Sequence, residues 1–314
     1  MLNLNKNNGK IYILKRGVYM IDIKQIKLQN NIEEAIYITN NKDCKTNYMG
    51  SYSKIVGSTN ENQYQINDIL NFKDKKVLLT GSSADQYLSS IFFGSREETI
   101  YDINALAEFY IYLKISAIRN LKYEDFIEFI LPYINKEKYL NVNLIKQLIY
   151  ELPPYIKEFW ISYLSEVDSS KIGNLVSFLD NDISNIKNKT PYYIKENYYT
   201  LKKILTKKDY PKFIETDISY FEYSIKDNYD IISLSNIIEC NQQPFDDVLE
   251  RKLYTDEEWI EYIKTVIYKQ LNSNGKILVF QTIDWNSEQY VNEGFEKYTI
   301  NNNKEKNIAL VLKK

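Results

Sequence analysis

Gly81, Ser82 and Ser83 follow a short apolar run, Val77-Leu78-Leu79, and Asp102 stands twenty-one positions after Gly81. Residues of these types at this spacing can hold a nucleotide. An apolar run of that length reads as a buried strand. Glycine lets the chain turn sharply at its end. Two small hydroxyl residues let a ligand approach main-chain N–H groups, and their own hydroxyls can donate to an anion. An acid about 20 residues on, closing the next short strand Thr99-Ile100-Tyr101, is spaced to accept from ribose hydroxyls. The Gly-x-Gly-x-x-Gly pattern is absent, so the order strand, turn, helix, strand, acid carries the signal. The alternative for Asp102 is a cap on the helix that follows.

Composition narrows the chemistry. The chain has no histidine, which excludes a Ser-His-Asp triad, a His-ligated metal and an imidazole base. Its two cysteines, Cys44 and Cys240, lie far apart and form no metal pattern, so a reduced, cytoplasmic setting is expected. A formal net charge of −2 gives no electrostatic support to a nucleic-acid partner. The polar, Asn-rich start shows no secretory signal. The most apolar long helix, 105–118, carries Glu108 and Lys114 and is too short to span a bilayer, so no integral membrane association is expected. The 29 tyrosines belong to a bias shared with Lys, Asn and Ile, which discounts any single Tyr or Asn as a functional sign.

The elements that must position these residues fall into four segments. Residues 1–70 form an N-terminal extension: a hairpin over 10–23, a short strand at 34–39, a loop over 40–57, and a helix near 66–72 with Thr59 or Asn60 as its cap. Residues 71–132 form the first half of a nucleotide-binding domain. Leu106, Phe109, Tyr110, Leu113 and Ala117 fall at helical spacing over 105–120, with Asn104 as cap, and a helical pattern continues to Leu131. Residues 133–206 are a helical insertion, broken at Pro153-Pro154, Gly173 and Pro191 and without a clear strand. It either covers a site or is structural bulk. Residues 207–314 complete the domain with strands at 212–218, 229–236 and 276–280. A helix capped by Thr255 runs to 271, and a terminal hairpin turns at Asn301-Asn302-Asn303. At 314 residues the chain can bury one large core or two smaller ones. Five strands separated by helices and closed by a hairpin is the layout of class I S-adenosylmethionine-dependent transferases. The expected fold class is therefore α/β and Rossmann-like, with the insertion between strands 2 and 3.

Several stretches resemble one family within that class. They are Val-Leu-Leu-Thr-Gly-Ser-Ser-Ala-Asp-Gln (77–86), Ile-Tyr-Asp-Ile-Asn (100–104), Leu-Lys-Ile-Ser-Ala-Ile-Arg-Asn-Leu-Lys-Tyr-Glu-Asp-Phe (113–126) and Ile-Ser-Leu-Ser-Asn-Ile (232–237). Together they are similar to the S-adenosylmethionine:diacylglycerol 3-amino-3-carboxypropyltransferase-like family. Thr59-Asn60-Glu61-Asn62 and the Thr190-Pro191-Tyr192 segment resemble its uncharacterised bacterial branch. The resemblance spans roughly 55–285 and rests on the order and spacing of the stretches.

The resemblance implies S-adenosylmethionine as cofactor and assigns positions to it. Gly81, Ser82 and Ser83 would hold the methionine end, and Asp102 the ribose diol, with Asn104 and Asn60 also at the cofactor. Asp217 would meet the adenine amino group with Ile218 beside the ring, and Ser235 and Asn236 would face the transferred group. In one place the chain departs from the commonest methyltransferase pattern: the acid two residues before the first glycine is Leu79 here. Asp85 is then either a substitute counter-ion for the α-amino group or a first-turn acid of the next helix. No metal is called for, and no general base is identified. Transfer of a 3-amino-3-carboxypropyl group is the first expectation and methyl transfer the alternative, each to a small-molecule or lipid acceptor. A non-catalytic cofactor-binding module and a nicotinamide-dependent oxidoreductase are the competing classes.

Overall fold

The chain is seen as a computed structural model that describes residues 10–14, 17–41, 52–131, 141–177, 188–236, 255–282, 284, 286–302 and 305–314. The chain start, Cys44, Cys240, Ile237 and Asn303 lie outside the described residues.

In chain order the N-terminal extension holds β1 (Lys10–Leu14) and β2 (Gly17–Ile21), paired antiparallel, then α1 (Ile23–Asn40), β3 (Ile55–Val56) and α2 (Gln63–Leu70). The sheet begins with β4 (Lys76–Thr80), α3 (Asp85–Phe92) and β5 (Glu97–Asp102), followed by α4 (Ala105–Asn120) and α5 (Tyr123–Ile130). The insertion contributes α6 (Val142–Leu148), α7 (Pro154–Glu166), β6 (Val176–Ser177) and α8 (Lys195–Leu205). β7 (Lys212–Glu215), α9 (Phe221–Ser224), β8 (Tyr229–Ser233), α10 (Asp256–Thr265), β9 (Leu271–Gln281), α11 (Ser287–Asn292), β10 (Glu296–Asn302) and β11 (Glu305–Lys313) follow.

Among the described residues, seven strands form one sheet in the order β10-β11-β9-β8-β4-β5-β7. β4 runs parallel to β5 and β8, β5 to β7, and β8 to β9, whereas β11 is antiparallel to both β9 and β10. From β4 the chain builds outward through β5 to β7, then returns to β8 on the other side. The order therefore reverses between β4 and β8, and in open α/β sheets the crevice at such a reversal is where ligands bind. This is the class I S-adenosylmethionine-dependent transferase fold, with the helical insertion between the second and third strands of the sheet.

Period-two alternation on central strands explains the layering. Val77 and Leu79 point into one hydrophobic cluster, Leu78 into the other, and all three are fully buried. The first cluster joins the sheet to α1, α4, α7 and α8; the second joins it to Phe221, Trp259, Ile263 and Tyr290. α4 is buried over nearly its whole circumference, which fits a helix enclosed by others. Within the first cluster Phe109 of α4 stacks on Phe159 of α7 with ring centroids 3.8 Å apart, and Trp160 Nε1 donates to the Phe109 carbonyl at 3.1 Å. Thr39 and Tyr163 share a buried hydroxyl–hydroxyl bond of 2.7 Å, tying α1 to α7. The insertion is thus part of the main core.

Local reading and structure differ at several places, and the strands expected at 212–218 and 229–236 end at Glu215 and Ser233. The strand expected at 34–39 is the C-terminal half of α1. Its Ile-Tyr-Ile-Thr run favours a strand locally, but Leu28, Asn31, Ile32, Ala35 and Ile38 are buried at helical spacing, and packing decides. The cap of α2 is Asn62, which accepts from Gln65 N at 3.2 Å, rather than Thr59 or Asn60. The insertion does hold a strand: β6 pairs parallel with β3 through Ile55↔Val176 and Val56↔Ser177. Thr255 forms a capping box with Glu258, but its helix ends at Thr265. β9 begins at Leu271, five residues earlier than the apolar run, and absorbs Asn274 at φ 62°.

Removing the Phe159 ring tests the single-core description. Phe159→Ala should cost ~3–5 kcal/mol, the range for truncating a buried aromatic. Urea unfolding followed by circular dichroism should show one transition shifted to lower denaturant. A separate early transition with the remainder unshifted would show the insertion to be an independent unit.

Candidate functional site

The carboxyl end of β4 runs into the loop Gly81-Ser82-Ser83-Ala84. The left-handed residues of this turn are Ser82 (φ 40°) and Ala84 (φ 69°), so the sharp turn is not made at Gly81. What Gly81 provides is proximity. A Cβ there would lie 2.9 Å from Asp102 Oδ2 and 3.0 Å from Asp102 Cβ, closer than real Cβ contacts allow. Asp102, half-buried at the end of β5, accepts from Ser82 N at 2.6 Å through Oδ2 and from Asn104 N at 2.8 Å through Oδ1. Burial raises its pKa, and the backbone N–H groups partly oppose the rise. A carboxylate offers about four acceptor positions. These two bonds, with a further contribution from the Ile103 N–H, orient the group. The oriented, half-buried carboxylate, packed against a residue with no side chain, fits the ribose of a nucleoside cofactor.

Asp85 has a different place. It is 1% exposed, and its Oδ1 accepts from Lys114 Nζ at 2.5 Å and from the Tyr192 hydroxyl at 2.6 Å, while Oδ2 accepts from Thr59 N at 2.7 Å. Lys114, fully buried in the middle of α4, also donates to the carbonyls of Ser83 (2.9 Å) and Gly57 (3.2 Å). Burial pushes the Lys114 pKa down and the neighbouring carboxylate opposes it. Burial likewise raises that of Tyr192. The charge of Asp85 is compensated inside the fold, so a ligand ammonium finds no uncompensated charge there. Asn104 is similarly engaged. Its Oδ1 caps α4 at Leu106 N (3.1 Å), and its Nδ2 donates to the carbonyl and hydroxyl of Ser53, both at 3.1 Å.

At the end of β8, Ser235 takes the left-handed conformation (φ 50°) and its hydroxyl donates to Glu61 Oε1. Glu61 is 1% exposed, and its Oε2 accepts from Gln86 Nε2 at 2.6 Å and Gln63 Nε2 at 3.2 Å. Burial raises its pKa, and the three donors partly counter this. Asn236 accepts a weaker bond from the Ser235 hydroxyl at 3.3 Å, and Asn60 sits half-buried beside Glu61. Asp217 caps a short turn after β7 by accepting from Ser219 N (2.7 Å) and Ser219 Oγ (2.8 Å). Thr216 N donates to the Asp102 carbonyl at 2.9 Å, which places Asp217 at the same edge of the sheet. Ile218 is buried among Tyr101 and Phe221 in the second cluster.

Gly81, Ser82 and Asp102 are therefore in direct contact. Ser83 and Asp85 lie in the adjoining knot with Lys114, while Ser235 and Asn236 join Asn60 through Glu61. Sequence reasoning did not assign Glu61, Lys114 or Tyr192. A lysine in the centre of an apolar helix was a usable sign, because such a residue is almost never fully buried without a partner.

No protein-family model matches the chain, and no curated protein matches it. Solved structures give distant likenesses. SMU.776, assigned as a methyltransferase and complexed with SAH, is 10% identical with a TM-score of 0.38, over 81% of this chain and 49% of its own. This chain thus spans about half the length of that protein. A methyltransferase from Pyrococcus furiosus is 10% identical over 91% of this chain and 98% of its own, with a TM-score of 0.38. An rRNA methylase from Streptococcus thermophilus is 8% identical over 80% and 93%, with a TM-score of 0.31. The strand order, not these likenesses, carries the fold assignment. No helix among the described residues is long and apolar enough to cross a membrane.

The buried pair generates a stability prediction. Lys114→Met leaves Asp85 buried without its cation, and Asp85→Leu leaves Lys114 without its anion. Each should cost about 3–5 kcal/mol in denaturant unfolding. The double variant should cost clearly less than the sum of the two. Additive losses would show that the two side chains contribute independently.

Proposed function

We propose that this protein is an S-adenosylmethionine-dependent transferase, acting by 3-amino-3-carboxypropyl transfer to a small-molecule or lipid acceptor. The observation that carries the cofactor part is the Gly81–Asp102 contact at the carboxyl edge of the sheet. There a half-buried carboxylate is oriented by the Ser82 and Asn104 N–H groups and lies against Gly81, which has no side chain to displace it. Asp102 accepts from the two ribose hydroxyls. Asp217, one strand over, lies within the same edge for the adenine amino group. Ser235 and Asn236, at the end of β8, face the transferred group across the reversal of strand order.

The cofactor, when bound, supplies a sulfonium, an activated leaving group that needs no imidazole base. The chain's own task is then to position the acceptor in line and exclude water. The choice of the aminocarboxypropyl group rests on the sequence resemblance and on Leu79. That side chain is fully buried where methyltransferases commonly carry an acid, so the methionine chain has to be held in another way. The insertion, tied to the nucleotide loop by Tyr192, is the segment that would shape the acceptor side.

Two measurements test the proposal. Calorimetry with S-adenosylmethionine should show binding by the wild type and a loss of about 1.5–3 kcal/mol, tenfold or more in affinity, for Asp102→Ala. Equal affinities would remove Asp102 from the site. Incubation with S-adenosylmethionine and candidate acceptors, followed by mass spectrometry, identifies the nucleoside product. Acceptor-dependent methylthioadenosine supports aminocarboxypropyl transfer. S-adenosylhomocysteine makes the protein a methyltransferase, and binding with neither product makes it a cofactor-binding module.

A further inference from the structure

Glu61, beside the reversal point, has no compensating charge among the described residues. Its oxygens are held by a hydroxyl and two amides, and the nearby charge of Asp85 has the same sign. A buried acid without a cation is costly and uncommon. Two further groups in the same cluster are unpartnered. Gln86 (8% exposed) and Gln63 (0% exposed) each donate an amide N–H to Glu61, and the Oε1 on each of those same amides has no hydrogen-bond partner. The cluster thus offers one negative charge and two orphaned acceptors, each on an amide bonded to Glu61. Asn60 and Asn236, the chain neighbours of Glu61 and Ser235, are half-buried, so the cluster lies just beneath the carboxyl edge of the sheet.

A primary ammonium is the ligand group that completes such a set, because it carries a positive charge and three donors and accepts nothing. A sulfonium has the charge but no N–H donor and would leave both glutamine oxygens unsatisfied. We propose that Glu61, with Gln63 and Gln86, binds the α-ammonium of an S-adenosylmethionine-type ligand, supplying from the N-terminal extension the acid that Leu79 replaces in β4. This rests on the cofactor assignment above. It makes the extension part of the cofactor site, and makes recognition of the amino-acid end depend on a residue outside the nucleotide loop.

The test crosses a protein variant with a ligand variant. Calorimetry would use S-adenosylhomocysteine, its desamino analogue and methylthioadenosine, with wild type and Glu61→Gln. The wild type should bind S-adenosylhomocysteine about tenfold or more tighter than the desamino analogue, the effect of one charged hydrogen bond. Glu61→Gln should bind these two equally and keep wild-type affinity for methylthioadenosine, which has no ammonium. A variant that discriminates as the wild type does overturns the inference. If the variant binds no nucleoside because it has not folded, the wild type decides through pH. A carboxyl with a raised pKa is neutral at low pH and ionises as pH rises. Preference for the amino ligand should therefore grow as the pH rises and Glu61 takes on its charge. A pH-independent preference overturns the inference. A wild type that binds none of the three ligands overturns the cofactor assignment itself, whereas binding without the expected discrimination overturns only the role of Glu61.

Discussion

The buried bond between Asp85 and Lys114 is the constraint on which the arrangement of the site depends. Four segments distant in sequence converge on it: the N-terminal extension through Gly57 and Thr59, the nucleotide loop through Ser83 and Asp85, α4 through Lys114, and the insertion through Tyr192. Pairs of this kind are weak evidence for net stability, since desolvation offsets most of the attraction. Their effect is on specificity. Once one partner is buried the other must be present in a narrow geometry, and every carbonyl and hydroxyl that completes the pair is fixed with it. The loop is therefore anchored from behind by the same residues that hold the extension over it.

That anchoring explains how the loop tolerates its backbone. Ser82 and Ala84 both sit at positive φ, a conformation that costs residues with a side chain energy unless the surroundings enforce it. Asp102 enforces the first by accepting from Ser82 N, and the Asp85 knot enforces the second from the other end. The usual glycines at these positions are unnecessary because neighbouring contacts over-determine the turn. The glycine that remains, Gly81, is the one whose Cβ would meet Asp102.

The sheet was legible because central parallel strands are short, apolar and punctuated, and Val77–Leu79, Ile231–Ile232 and Ile277–Phe280 carry that pattern. The capping residues Asn104 and Thr255 were legible for a similarly local reason. The helix at 23–40 was misread where β-branched residues crowd its end, and the β3–β6 pair left no periodic trace, being two residues long on each side. The partners at the candidate site were illegible for a different reason. Lys114 lies 29 residues from Asp85, and Glu61 lies 174 from Ser235, so no local pattern joins them. Only the expectation that a buried charge has a partner points at Lys114. Nothing comparable points at Glu61, which is set among polar residues and looks like a loop acid.

Asp85 and Glu61 are the two fully buried acids at this edge, and their environments separate their tasks. Both reach the first turn of α3, one as its first residue and the other through Gln86, the second. Asp85 has a lysine, a tyrosine hydroxyl and a backbone N–H, which is a complete set for a charged group. Glu61 has only neutral donors, and the nearby Asp85 makes its ionisation harder. A fold seeking only rigidity would have gained by placing an apolar residue at Glu61, as it does at Leu79 two strand positions before the loop. The retained carboxylate is instead held in place by three donors and left short of one positive charge. Structural neutralisation at Asp85 fixes the loop, and the incomplete set at Glu61 is what the proposal of a cation there rests on.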